Sequence, residues 1–199
     1  MGTRDMFDGP AGAVAARVMA RRNRDAEAEA VELLDPHATD RVLVVGFGPG
    51  VGLQLLMERV TSGSVGGVDP SAVMCRRAEA RNHDAIRTGR LELVRGASDT
   101  LPWPDRDFDH AVAVNVLQMC EPFVSTASEL ARVLRPGARV VSLTHEWAIR
   151  RYARSIDDWL DTVDAVLRGQ GFVDINRGRG RAESGTIVRV TASRPAAVP

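Results

Sequence analysis

The sequence predicts an α/β fold, a Rossmann-like, doubly wound, mostly parallel sheet with helices on both faces. Short continuous apolar runs such as RVLVVGF, residues 41–47, are typical of strands buried on both faces. These runs alternate along the chain with segments of helical periodicity, and strict alternation is typical of an open parallel sheet. Such sheets bind ligands at the carboxyl ends of their strands, near the point where the strand order reverses.

The predicted elements begin with an amphipathic helix at residues 12–34, which lack proline and are rich in Ala, Arg and Glu. The parallel part of the sheet then alternates strands and helices, with strands predicted at 41–47, 64–69, 91–96, 108–116 and 138–144 and helices at 50–60, 72–82 and 122–134. The tail predicts a helix at 156–167 and two strands, 172–177 and 186–192. We expect these last two strands to form an antiparallel hairpin.

The first predicted helix carries a dense run of charges. Four arginines precede three glutamates, and this pattern favours a solvated charged face over a docking surface for an anionic acceptor. The residues are Arg17, Arg21, Arg22 and Arg24, followed by Glu27, Glu29 and Glu32.

Composition excludes several classes of function. The 26 basic and 26 acidic residues cancel, so neither a nucleic-acid partner nor an anionic membrane surface is expected. All the basic residues are arginine, which removes lysine-based chemistry. The two cysteines, Cys75 and Cys120, predict neither a disulfide framework nor a metal site, and a cytoplasmic location is expected. No window is apolar enough to span a membrane.

The segment GFGPG, residues 46–50, stands between a buried strand and a helix. Glycine there lets the chain turn sharply and brings backbone N–H groups and a helix N-terminus close to a bulky cofactor. The dinucleotide fingerprint G-x-G-x-x-G fails, because its third glycine would fall on Val51 or on Leu53. The phosphate-binding P-loop also fails, since it requires a lysine.

The remaining pattern, G-x-G-x-G, has three companions in order: GVDPS at 67–71, LPWPDRDFD at 101–109 and LRPGARVV at 134–141. Together these segments resemble the class I S-adenosylmethionine-dependent methyltransferases, over residues 41–145. The resemblance implies a seven-stranded sheet with an antiparallel C-terminal strand and S-adenosylmethionine as cofactor, converted to S-adenosylhomocysteine. We assign residues 36–195 to this domain and residues 1–35 to an N-terminal helical extension, a candidate lid over the cofactor.

The resemblance also implies where the cofactor is held. Asp69 stands at a strand end, where its carboxylate accepts hydrogen bonds from both ribose hydroxyls, with Pro70 beside it. The alternative is that DPS merely caps the next helix, through Ser71. The glycine loop contributes Gly46, Phe47, Gly48 and Gly50.

Two later segments complete the expected cofactor site. Ala97 and Ser98 follow the third strand, where the family places its adenine pocket. Asn115 and Val116 end the fourth strand, where the family binds the methionine portion of the cofactor. For the Asn115 side chain, the alternative is simply that asparagine terminates a strand.

The sequence departs from the family pattern at two positions. Ala97 stands where an acidic side chain usually binds adenine, so the hydroxyl of Ser98 or backbone groups must substitute. Val44 stands where an Asp or Glu usually helps anchor the amino end of the cofactor. Either another group supplies that anchor, or binding is weaker.

Methyl transfer is an in-line displacement from an activated sulfonium, so positioning alone can supply much of the acceleration and a base is optional. Among the four histidines only His145 follows a strand's carboxyl end. His145 and Glu146 are therefore the candidate proton acceptors, and Trp147 and Tyr152 the candidate aromatic wall of the acceptor pocket. The alternative is that His145 and Glu146 are ordinary residues at a helix start.

These observations favour transfer of a methyl group to a small-molecule O, N or C nucleophile. The chain lacks the Asn/Asp-Pro-Pro-Tyr/Phe motif of related amino-methylating enzymes that act on nucleic acid or release factors. The expected partner is a small-molecule acceptor, and a homodimer is left open. The alternative is a noncatalytic binding or assembly protein that retains the fold, and a nicotinamide oxidoreductase ranks last.

Overall fold

The computed structural model describes residues 23–182 and 184–197. In this part of the chain seven strands form one sheet in the order β3-β2-β1-β4-β5-β7-β6. Strands β1 to β5 pair in parallel, and β7 is antiparallel to both β5 and β6, which confirms the predicted fold. The strands are β1 Arg41–Val45, β2 Ser64–Asp69, β3 Leu91–Arg95, β4 Phe108–Val114, β5 Leu134–His145, β6 Val173–Ala182 and β7 Gly185–Ser193.

Helices cover both faces of the sheet. Within the described ranges, none of them is long and apolar enough to cross a membrane. A 3₁₀ turn at Leu117–Met119 follows β4. The helices are α1 (residues 23–34), α2 Val51–Arg59, α3 Ala72–Arg81, α4 His83–Arg87, α5 Phe123–Val133, α6 Glu146–Ile149 and α7 Ile156–Gly169.

The alternation of side chains along β1 divides the core into two layers, because successive strand residues point to opposite faces. Leu43 and Val45 pack in the layer that contains α5 and α7. Val42 and Val44 pack in the layer that contains α1, α2 and α3. The position of Val44 therefore faces helix α1.

Helix α1 is fastened to the sheet by buried apolar residues and by polar contacts. Ala26, Ala30 and Leu34 are fully buried against the sheet. The guanidinium of Arg139 on β5 donates to the carbonyl of Leu33 at 2.8 Å and to that of Leu34 at 3.2 Å. Glu29 on the outer side forms an ion pair with Arg189 of β7. The division of the chain at residue 35 stays a prediction.

The prediction that the charges of the first helix form a solvated face is wrong for one residue. Glu32 is exposed as expected, but Glu27 is only 8% exposed. The reason is helical phase: Glu27 lies three residues before Ala30 and four before Val31, so it shares their sheet-facing side. Arg17, Arg21 and Arg22 lie outside the described residues.

Several boundaries differ from the prediction. Strand β5 begins at Leu134 rather than 138, because Leu134 pairs with Phe108 ahead of a register shift in β4. Strands β6 and β7 are longer than predicted, and Ala182 pairs with Gly185 at the end where they approach each other in sequence. Helices α4 and α6 have five and four residues, too few to produce a periodic pattern in the sequence.

Strand β6 forms one edge of the sheet and is rich in arginine. Arg177 and Arg179 lie two residues apart and therefore on the same face. They donate to Asp161 at 2.6 Å and to Asp157 at 2.7 Å, both on α7. Helix α7 is thereby tied to the edge strand.

Candidate functional site

The carboxyl ends of β1, β2 and β4 meet at the loop of residues 46–50. Gly46, Gly48 and Gly50 have φ angles of 66°, 53° and 84°, in the left-handed region that favours glycine. The N–H of Gly46 donates to the Val68 carbonyl at 2.8 Å, which fixes the loop to the end of β2. Helix α2 starts immediately after Gly50, so its first N–H groups point toward this edge of the sheet.

Side chains from α3 and β4 pack tightly against the loop. A Cβ on Gly46 would overlap the methyl groups of Val116, and a Cβ on Gly50 would overlap Asn82. The Asn82 amide also donates to the Gly50 carbonyl at 3.1 Å. The Arg81 guanidinium donates to the Pro49 carbonyl at 3.1 Å. These contacts hold the loop in one conformation.

Asp69 is 7% exposed at the end of β2 and faces the loop. Its two carboxylate oxygens accept the N–H groups of Gly48 and Ser71, each at 2.9 Å. Burial raises the pKa of Asp69 above its ordinary value. A carboxylate accepts about four hydrogen bonds, so capacity remains for ribose hydroxyls. Ser71 caps α3 as the alternative proposed, by accepting from the Met74 N–H, and both roles coexist in one turn.

The other expected cofactor residues lie at the same edge of the sheet. Ala97 and Ser98 follow β3 and are half-buried, but the Ser98 hydroxyl is hydrogen-bonded to that of Thr126 at 2.9 Å. The hydroxyl is therefore engaged within the protein. Phe47 is buried beneath the loop and Pro70 is exposed beside it. The cofactor contacts of these residues stay predictions.

Asn115, which ends β4 with a φ of 57°, is the centre of a polar cluster. Its side-chain oxygen accepts the His145 N–H at 2.8 Å, and its amide group donates to Asn23 of α1 at 3.1 Å. The Nδ1 atom of His145 lies 3.0 Å from the same amide nitrogen, and Nε2 lies 2.6 Å from the Ser184 hydroxyl. The imidazole is fully buried and held at both ring nitrogens. Val116, the next residue, packs on Gly46.

The remaining candidates surround His145. Glu146 begins α6, is half-buried, and lies 3.9 Å from the Arg150 guanidinium. Trp147 stacks at a tilt on the His145 ring, with 5.8 Å between ring centroids, and is 43% exposed. Tyr152 is 42% exposed. The structure brings His145 together with Asn115, and the catalytic roles of His145 and Glu146 stay predictions.

Sequence reasoning missed Glu27 as a site residue. Glu27 lines a small cavity of about 20 Å³ together with Val44 and Gly46. Burial raises its pKa from 4.5 to about 8, against the charges of Arg81 and Arg24 and the effect of the Gly52 N–H. Its burial could have been predicted from its position along α1, because helical phase places this acid on the apolar, sheet-facing side of the helix.

The chemistry of these residues suits S-adenosylmethionine, which carries adenosine, with its ribose hydroxyls, on one side of the sulfonium and a charged amino acid portion on the other. At the carboxyl-end edge of the sheet, the loop amides and the Asp69 carboxylate lie on one side. The buried carboxyl group of Glu27 lies on the other side. No group of three metal-ligating side chains occurs in the described part of the chain. Strand order, glycine loop and strand-end acid together define a class I methyltransferase.

Comparison with known proteins gives the family. The methyltransferase domain family matches residues 43–142. The uncharacterized methyltransferase YdaC of Bacillus subtilis (strain 168) is 24% identical over 183 residues, which cover 92% of this chain and 99% of that relative. The chain belongs to the methyltransferase domain family and is an S-adenosylmethionine-dependent methyltransferase.

Two further similarities involve named methyltransferases. The phosphatidylethanolamine N-methyltransferase of Cereibacter sphaeroides is 35% identical over 105 residues, which cover 53% of this chain and half of that relative. The solved structure of phosphoethanolamine N-methyltransferase 2 of Haemonchus contortus, bound to phosphomonomethylethanolamine and S-adenosylhomocysteine, superposes with a TM-score of 0.79. It covers 98% of this chain and 60% of that one at 15% identity, so it shows the shared fold.

Proposed function

We propose that this methyltransferase acts on a small-molecule O, N or C nucleophile, and that it transfers the methyl group by in-line displacement. The observation that carries the proposal is the Asn115–His145 cluster. It sets a fully buried imidazole at the carboxyl end of β5 against Asn115, whose neighbour Val116 packs on Gly46 of the glycine loop. A proton acceptor in that position suits a nucleophile that must lose a proton as it is methylated.

The roles of the residues follow from their contacts. When bound, S-adenosylmethionine supplies a methyl group already activated on a sulfonium. The glycine loop and Asp69 hold and orient it, so that much of the barrier is met by positioning. With its proton on Nδ1, the His145 ring donates to the Asn115 side-chain oxygen at 3.1 Å, and the same oxygen accepts the His145 main-chain N–H. The acceptor's proton then passes to Nε2. To reach this atom, the acceptor takes the place of the Ser184 hydroxyl, which is the partner of Nε2 in this structure.

The wall of the acceptor site is formed by the segment that follows His145. Arg150, Arg151 and Arg154 surround Tyr152 in an open surface depression. Only Arg150 has an acidic partner among the described side chains, at 3.9 Å from Glu146. Guanidinium groups bind phosphate and carboxylate well, so acceptors with an anionic group belong in the first assays. The names of the two ethanolamine N-methyltransferases support the same choice.

The proposal is tested by measuring S-adenosylhomocysteine formation with phosphoethanolamine, a catechol and a β-keto acid, which offer N, O and C nucleophiles. Turnover with total RNA or extracted protein, but with none of the small molecules, would contradict it. With an active acceptor, His145→Gln is expected to lower kcat by roughly 100-fold while S-adenosylhomocysteine affinity is retained. His83→Gln, at an exposed histidine on α4, is the matched control. An unchanged kcat in His145→Gln excludes the base.

A further inference from the structure

Glu27 is a buried acid that forms no ion pair with any other described residue. It is 8% exposed, and among the described residues none of the ion pairs of the molecule includes it. Its Oε2 atom is fully buried and has no hydrogen-bond partner in the described part of the chain. Burying a carboxyl oxygen without a partner costs free energy, so the group needs an explanation beyond packing.

Glu27 shares a small cavity with position 44, where the family usually has an acid. The cavity beside it is lined by Val44 of β1, by Gly46 and by Gly52 of α2. The side chain of Glu27 thus enters from α1 the space that an acid at position 44 would enter from β1. The two positions face the same cavity from opposite sides.

The side chain of Glu27 also lies against helix α2. Gly52, in the first turn of α2, lies beside the carboxyl group, and its N–H lowers the pKa of Glu27 against the larger effect of burial. The Cγ atom of Glu27 lies 3.5 Å from the place where a Cβ on Gly52 would stand, so the acid sits directly against the first turn. The N-cap residue Gly50 has no side chain to serve this helix end. The side chain of Glu27 therefore packs against Gly52 and lines the cavity, and its Oε2 stays buried without a hydrogen-bond partner among the described residues.

We propose that Glu27 replaces the missing acid of position 44 and holds the positively charged amino end of S-adenosylmethionine through Oε2. This inference rests on the cofactor of the proposed function. The cavity of about 20 Å³ has room for about one water-sized group, and an ammonium group has that size. A cation there favours the ionised carboxylate, so the proton that Glu27 holds in the ligand-free protein is released on binding and the unpartnered oxygen gains a charge-assisted hydrogen bond.

Two ligands that differ only at the amino end test the assignment. S-adenosylhomocysteine carries the amino acid portion, and 5′-methylthioadenosine lacks it. Glu27→Gln is expected to weaken S-adenosylhomocysteine binding roughly 10- to 100-fold by calorimetric titration, since a hydrogen bond between charged groups is lost. Binding of 5′-methylthioadenosine should change by less than about twofold. Glu32→Gln makes the same substitution on the exposed side of α1 and should alter neither affinity.

Each result decides the matter. Equal weakening of both ligands, or of neither, overturns the role of Glu27. If the wild-type protein binds neither ligand, the proposed function itself fails. In a second experiment, the acid is moved to β1 in the double variant Glu27→Gln/Val44→Glu. This variant should recover most of the affinity for S-adenosylhomocysteine that Glu27→Gln loses. A folded double variant that stays as weak as Glu27→Gln would overturn the equivalence of the two positions.

Discussion

Glu27→Gln should stabilise the ligand-free protein at alkaline pH. The folded protein holds the proton of Glu27 up to about pH 8, whereas the unfolded chain releases it near 4.5. Between these values the folded state binds more protons, so the free energy of unfolding falls as the pH rises. Each pKa unit corresponds to roughly 1.4 kcal/mol in the free energy of unfolding. The difference of about 3.5 pKa units (8 minus 4.5) therefore corresponds to about 5 kcal/mol. Arg24 and Arg81, which oppose the shift, are present in both proteins.

The assay is urea unfolding of wild type and Glu27→Gln at pH 5 and pH 8.5. Near pH 5 the wild-type carboxyl group is neutral and resembles the amide, so the two proteins should differ little. At pH 8.5 the variant should be more stable by several kcal/mol, at most about 5. The other titrating groups are the same in both proteins, so their contributions cancel in the difference between the two free energies of unfolding. A difference that is the same at both pH values would show that Glu27 ionises normally, and would refute the reasoning from burial. Glu32→Gln should show no pH-dependent difference.

Three further predictions concern the glycine loop, the Asp69 carboxylate and the N-terminal cap of α7. Gly46→Ala should cost roughly 2–4 kcal/mol in urea unfolding, because its φ is positive and its Cβ meets Val116; Gly46→Ala/Val116→Ala should recover part of the loss, and no recovery would argue against the overlap. Asp69→Asn should raise the S-adenosylhomocysteine Kd about tenfold by calorimetry, because a charged acceptor for ribose is lost; an unchanged Kd would remove Asp69 from the site. Ser155→Ala should lower the free energy of unfolding by about 1 kcal/mol, since Ser155 caps α7, whereas Ser155→Asp should not.

The sheet could be predicted from the sequence because its signals are local. RVLVVGF and FDHAVAV are apolar runs bounded by turns, and each became a buried strand within a few residues of its predicted bounds. The glycine loop was also readable, since the positive φ angles of Gly46, Gly48 and Gly50 demand glycine. Strand order was not readable from these runs and came from the family resemblance.

The parts of the site that escaped prediction are held by contacts between residues distant in sequence. Asn115 and His145 are 30 residues apart, and Ser184 follows 39 residues later. No periodicity connects such residues, so their meeting required the sheet itself. Glu27 escaped for another reason, because the run of charges around it outweighed its phase relative to Ala30 and Leu34. On a short amphipathic helix, phase decides burial before charge does.

The arginines of β6 have a consequence for how molecules of this enzyme behave at high concentration. An edge strand offers unpaired backbone groups to which a strand of another molecule can add. Here Arg177 and Arg179 line that edge, and their ion pairs to Asp161 and Asp157 hold α7 close to it. A strand adding to β6 would bury some of these paired charges, and removing them from water costs free energy. This end of the sheet is thereby protected against strand-on-strand aggregation.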